Sequence, residues 1–168
     1  CIRDRQSGDH IVAADALFGS CLSILKDILP NYGIEVTIVR ANNIEEWEKS
    51  IRKNTKVFFF ETPTNPMLEI IDIEKLSLIA KANNIKVIID NVFATPLRQR
   101  PMEFGADIVI YSATKHIDGQ GRCLGGVILG DAEFIENKLH DYLKHTGPAL
   151  SPFNAWIMMK GLETLSLR

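Results

Sequence analysis

The chain has 168 residues, 46% of them hydrophobic and 24% charged, with a net charge of −2, the range of one ordinary globular domain with a real core. That balance gives no electrostatic reason to expect nucleic acid or an anionic membrane as a partner. No apolar run approaches a membrane span, and the first residues lack the basic–apolar–small layout of a secretory signal. Cys1, Cys21 and Cys123 are odd in number and form no C-x-x-C pair, which fits free thiols in a reducing cytoplasm.

Residues 1–8 read as the frayed end of a helix, and residues 8–14 as a short strand after a turn. A helix follows with Leu22, Leu25, Ile28 and Leu29 on one face, stopped by the run from Pro30 to Gly33. Strand 34–39 precedes a short helix over 44–52, whose Glu45, Glu46 and Glu48 form a solvated face. Residues 56–61 are a buried strand that delivers Glu61 and the Thr62-Pro-Thr-Asn-Pro66 turn, where paired prolines fix the backbone. Asp72 caps a helix to about Asn83, with Ile73, Leu76, Ile79 and Ala80 on its apolar side. Strand 85–90, a loop between Pro96 and Pro101 and a short turn over 102–105 lead into strand 107–111. Residues 124–130 form another strand, Asp131 begins a helix to about His145, and 159–168 ends in a helix-like pattern. Alternating strands and helices predict an α/β fold, one mostly parallel sheet between two layers of helices.

Two strand ends carry the chemistry. Ile108-Val-Ile110 delivers Ser112, Thr114 and Lys115 onto a loop that turns glycine-rich. Hydroxyls at a strand end can bind an anion, and a partly desolvated lysine has a nucleophilic amine. Together they suit pyridoxal 5'-phosphate held as a Schiff base. A surface lysine after an edge strand is the plain alternative. Strand 85–90 ends in Asp90, at the edge where open α/β sheets bind ligands. A carboxylate there can pair with a protonated pyridine nitrogen, or it can simply make a turn. The glycines at 119, 121, 125 and 126 fit neither a Walker loop nor a dinucleotide fingerprint. His140 and His145 have no partner at ligand spacing, so no metal site is predicted.

Glu61-Thr-Pro-Thr-Asn-Pro66, Asp90-Asn-Val-Phe-Ala-Thr-Pro96 and Tyr111-Ser-Ala-Thr-Lys-His-Ile-Asp-Gly119 resemble the signature segments of the Cys/Met-metabolism pyridoxal-phosphate enzymes, in the same order and across essentially the whole chain. That family includes cystathionine synthases and lyases, methionine γ-lyases and homoserine-ester sulfhydrylases. Within it, segments 118–126 and 145–154 look most like the branch acting on O-succinylhomoserine. The resemblance implies residues 1–168 as a partial PLP-binding large domain of the aspartate aminotransferase-like fold type I, a three-layer α/β sandwich. It implies Lys115 as the catalytic and cofactor-holding amine, Asp90 on the ring nitrogen, and Ser112 and Thr114 on the phosphate. Phe18 would stack on the ring, where many relatives have tyrosine, and Asn65 would face the ring oxygen. The implied activity is γ-replacement on an O-acylhomoserine with sulfide or cysteine, in a cytoplasmic homo-oligomer. Relatives are longer on both sides. Their upstream phosphate loop, their cross-interface tyrosine and arginine, and the arginine that clamps the substrate carboxylate are not expected within these residues. A central fragment, weakly active, inactive or partner-dependent, is therefore expected.

Overall fold

Runs of β-branched and aromatic residues build one six-stranded sheet in the computed structural model, which describes residues 5–168. The strands are β1 (His10–Ala14), β2 (Glu35–Val39), β3 (Thr55–Glu61), β4 (Lys86–Asp90), β5 (Ile108–Ser112) and β6 (Gly126–Leu129). Their order is β2-β1-β3-β4-β5-β6; the first five are parallel and β6 runs antiparallel to β5. The chain goes from β1 outward to β2, then crosses back to place β3 on the other side of β1. That reversal opens a crevice at the carboxyl ends of the strands.

Both faces of the central strands are covered, which is why Val57, Phe58, Phe59 and Phe60 are a continuous apolar run. On one face Trp47, from α2 (Ile44–Lys49), meets the edges of Phe58 and Phe60 at centroid distances of 5.1 and 5.6 Å. Its indole N–H donates to the Ala41 carbonyl at 3.2 Å, so this large side chain is buried without an orphaned polar atom. On the other face Ile11, Phe59 and Ile110 meet Leu25, Leu29 and Leu143 around an apolar cavity of about 320 Å³. At the amino ends His10 is fully buried, its two ring nitrogens each 2.8 Å from a hydroxyl, Thr55 and Thr37 of the flanking strands.

The expected cap at Asp72 is present: its Oδ1 accepts from the Lys75 amide at 2.9 Å and starts α3 (Ile73–Ala82). Elsewhere the helices depart from the sequence reading. The helix after β1 is α1 (Gly19–Ser23), which widens to π pitch over Ile24–Ile28 and tightens to a 3-10 turn over Leu29–Tyr32. Pro30 has no N–H to give the α ladder, and Gly33, at φ 72°, closes the turn. The predicted loop between Pro96 and Pro101 contains α4 (Thr95–Arg98) followed by a 3-10 turn over Pro101–Phe104, each opened by a proline in its first turn. After Asp131, α5 (Ala132–Phe134) passes through a π segment, Ile135–His140, into α6 (Asp141–Thr146). The last helix, α7 (Pro152–Leu162), begins earlier than its apolar pattern announced, because Ser151 caps it and Pro152 fills its first turn. The predicted helix end over 1–8 falls partly outside the described residues, and residues 5–8 are loop and turn.

Candidate cofactor site

Glu61, Asp90 and Ser112 are the last residues of β3, β4 and β5. In register, Glu61 pairs with Asp90 and Asp90 with Ile110, so these three form a row across one face. Ser112, two residues beyond Ile110, shares that face. It is the face on which α1 lies.

Asp90 is half-buried and its Oδ1 accepts from the Val92 amide at 3.0 Å. Burial raises its pKa above the usual aspartate value, and the amide opposes that rise. Glu61 is only 4% exposed, and its Oε2 accepts from the Phe18 amide at 3.0 Å. Burial pushes its carboxyl up to about 7; the Phe18 amide opposes this, the Asp90 charge adds to it and a weaker bond from the Asn65 amide opposes it again. The Cys21 thiol is pushed up to about 11, first by burial and then by the charges of Asp90 and Glu61. Cys21 packs against the core, and a thiol pushed up in this way is disfavoured as a thiolate.

Phe18 sits at the N-cap of α1 and is 48% exposed as a residue. Asn65 and Lys115, both exposed, line one cavity of about 920 Å³ with Val92, Phe93 and Arg98. The described residues therefore do not desolvate the lysine amine. Ser112 is half-buried with its hydroxyl untied among the described residues. Thr114 differs: its hydroxyl accepts from the Gly125 amide at 3.0 Å and donates to the Gly125 carbonyl at 3.3 Å. Its only proton is thus committed to the loop rather than offered to an anion.

Behind these groups lies a buried polar network that the sequence reading did not anticipate. Asn91, fully buried, donates to the Tyr111 hydroxyl at 2.8 Å and to the Gln99 carbonyl at 2.9 Å. Gln99 donates back to Asn91 Oδ1 at 2.8 Å and to the Thr62 carbonyl at 2.7 Å. The turn bearing Asn65 is braced further by Thr62 and Thr64, whose hydroxyls accept from the Ile71 and Glu69 amides at 2.9 and 3.0 Å. The lysine loop is fixed by Asp118, fully buried, which pairs with the Arg122 guanidinium at 2.8 Å and accepts the Arg122 amide at 2.6 Å. Burial works against the Asp118 carboxylate, but Arg122 outweighs it and holds the carboxyl below the usual range.

The donor set fits pyridoxal phosphate. A buried-side carboxylate suits a protonated ring nitrogen, a free serine hydroxyl suits a phosphate, and a lysine amine and an asparagine amide share one cavity large enough for a small cofactor. No helix among the described residues is long and apolar enough to cross a membrane.

Comparison with known proteins agrees with this fit. The family described as Cys/Met metabolism PLP-dependent enzyme matches residues 4–168. An O-succinylhomoserine sulfhydrylase of Mycobacterium tuberculosis is 50% identical over 162 residues, 96% of this chain and 40% of that protein. A cystathionine gamma-lyase of Bacillus subtilis is 41% identical over 162 residues, 96% of this chain and 43% of that protein. In structure, the cystathionine gamma-lyase of Lactobacillus plantarum complexed with L-serine superposes with a TM-score of 0.94 at 32% identity, over 98% of this chain and 43% of that one. The chain thus spans about two fifths of the length of such relatives. On this family match, shared sequence and shared fold, the chain belongs to the Cys/Met-metabolism PLP-dependent enzymes, and its cofactor is pyridoxal 5'-phosphate.

Proposed function

We propose that the chain is the cofactor-binding part of an enzyme for γ-replacement on an O-acylhomoserine, with sulfide or cysteine as the incoming nucleophile. The observation that carries this reading is the shared edge of the sheet. Glu61, Asp90 and Ser112 end three neighbouring strands, and residues just past those ends, Asn65, Val92 and Lys115, line one cavity, though the three strand-end residues themselves do not. O-succinylhomoserine is the favoured ester because relatives at 50% and 45% identity, from Mycobacterium tuberculosis and Pseudomonas aeruginosa, are O-succinylhomoserine sulfhydrylases. The γ-lyases among the relatives point to the same elimination chemistry.

Bound pyridoxal phosphate supplies an electron sink for charge that develops at an amino acid's α-carbon. Asp90 would pair with a protonated ring nitrogen, since a half-buried carboxylate gains most from a cationic partner. Ser112 would donate to the phosphate, while Thr114 braces the loop through Gly125. Phe18 would offer the ring an aromatic face without the phenol that a tyrosine would add. Asn65 would face the ring oxygen, and the Lys115 amine would move the α-proton. In the test, the chain is incubated with pyridoxal phosphate, O-succinylhomoserine and either sulfide or cysteine, and homocysteine or cystathionine is measured by mass spectrometry. Product formation that falls by about a thousandfold in Lys115→Ala supports the reading. Product at the same low level in both proteins contradicts it.

A second reading is favoured by one observation. α7 leaves Phe153, Trp156 and Met159 exposed, the two rings stacked at 6.1 Å. Such a face suits burial against further protein, including a second copy. On this reading the chain binds the cofactor and turns over only with a partner. Turnover by a monomer in sedimentation experiments would argue against it.

A further inference from the structure

We infer that Glu61 is a positioning residue of the cofactor site, holding the Phe18 shelf on α1 to the end of β3, the strand that leads into the Asn65 turn. The inference rests on the cofactor reading of Phe18 and Asn65 given above.

Phe18 and Asn65 lie on separate walls. Phe18 is not among the residues of the cavity that Asn65 and Lys115 share. Its carbonyl accepts from the Leu22 amide at 3.1 Å, but its N-cap position makes no side-chain cap bond. Its backbone is fixed instead from 43 residues away, by Glu61 Oε2 at 3.0 Å. The same carboxylate closes β3, the strand that runs on into the turn bearing Asn65. One side chain therefore ties the start of α1, and with it the aromatic ring, to the end of β3.

Glu61 is an expensive choice for a packing role. It is 4% exposed and forms no ion pair with a cation among the described residues. The titratable groups that face it are Asp90 on β4 and Cys21 on α1, and neither neutralises it. A buried carboxylate without a cation costs stability that an apolar strand end would not. What it supplies is reach and an acceptor: two methylenes carry an oxygen to the Phe18 amide. Preorganisation of this kind matters because an aromatic shelf or amide displaced by an ångström loses its contact with the ring.

The test compares Glu61→Gln, which keeps both reach and an acceptor, with Glu61→Asp, which keeps the charge and loses reach, and with Glu61→Ala. Three quantities are measured on the whole chain: pyridoxal phosphate affinity, induced circular dichroism of the bound cofactor, and the share of borohydride-fixed label on Lys115. Melting temperature is followed in parallel. Glu61→Gln is expected to stay within about threefold of the parent in affinity and to keep the dichroism, while Asp and Ala weaken affinity about tenfold and lose most of that signal. Should Glu61→Ala fail to fold, the Asp and Gln pair decides. Equal dichroism and affinity in Asp and Gln, with label still on Lys115, overturns the role of Glu61 alone. Parent protein without label on Lys115 overturns the cofactor reading along with it.

Discussion

The Asn91 side chain donates to the Tyr111 hydroxyl at 2.8 Å, tying the residue after β4 to the penultimate residue of β5 within the core. It joins the residue after Asp90 to the residue before Ser112, bracing two strand ends that the backbone ladder already pairs. Tyr111→Phe removes one acceptor while Asn91 keeps the Gln99 carbonyl, and the expected cost is about 1 kcal/mol. Asn91→Leu leaves both the Tyr111 hydroxyl and the Gln99 amide short of a partner, and about 2–3 kcal/mol is expected. Urea denaturation of the two variants should give that order.

Gly161 of α7 lies against the carbonyl oxygens of Ile117 and Asp118 in the lysine loop, and a Cβ there would press into both. The obstacle is backbone, so it cannot swing aside. Gly161→Ala should therefore push α7 off the loop. A loss of about 1–3 kcal/mol is expected in urea denaturation, with weaker fixation of cofactor on Lys115. Gly19, whose Cβ would meet nothing and whose φ is not positive, makes the contrasting site.

Cys21 should be slow to react. With its thiol pushed up to about 11 by burial and by two carboxylates, its thiolate fraction at pH 8 is about a hundredfold below that of the unfolded chain. Alkylation followed by peptide mass spectrometry should show Cys21 protected in the folded protein and labelled at an ordinary rate in urea. Equal rates would show that the thiol is not in the environment described.

Glu61 gives stability a dependence on pH whose sign is fixed. Its folded pKa, about 7, lies above its ordinary value of 4.5, so the protonated form favours the fold. That contribution is complete below about 4.5 and is lost as the pH rises through about 7, by about 3 kcal/mol at most. His10 acts in the opposite sense, since burial, aided by Arg52 and opposed by Glu35, lowers its pKa. Its contribution is present above the ordinary histidine value and is lost towards acid. The comparison of the parent with Glu61→Gln removes His10, which titrates alike in both. The stability of the parent relative to Glu61→Gln should fall between pH 5 and pH 8. A flat difference would place the carboxylate in a wetter environment than this one.

Much of the fold was legible because periodicity and turn chemistry agreed. The strands at Val57–Phe60 and Lys86–Asp90 are short apolar runs closed by polar residues, and Asp72 and Asp131 announced their helices. The π and 3-10 segments around Pro30 and over Ile135–His140 were not legible, since they follow from packing on the sheet and not from local preference. At the site, Asp90, Ser112 and Lys115 stand at strand ends where the sequence put them. The engagement of Thr114 with Gly125 and the reach of Glu61 to Phe18 were hidden, because both join residues far apart in sequence. Glu61 did leave a trace, a carboxylate closing a strand otherwise made of aromatic and aliphatic residues. Asn91 and Gln99 left none, for a buried amide network reads like any polar loop.

The most direct measurement is to add pyridoxal phosphate to the purified chain, reduce with borohydride and locate the label by peptide mass spectrometry. The account predicts a visible absorption band of a lysine-bound cofactor and a single label on Lys115. Absence of the band, or label spread over the exposed lysines, would contradict it and leave the family's motifs here without a working site.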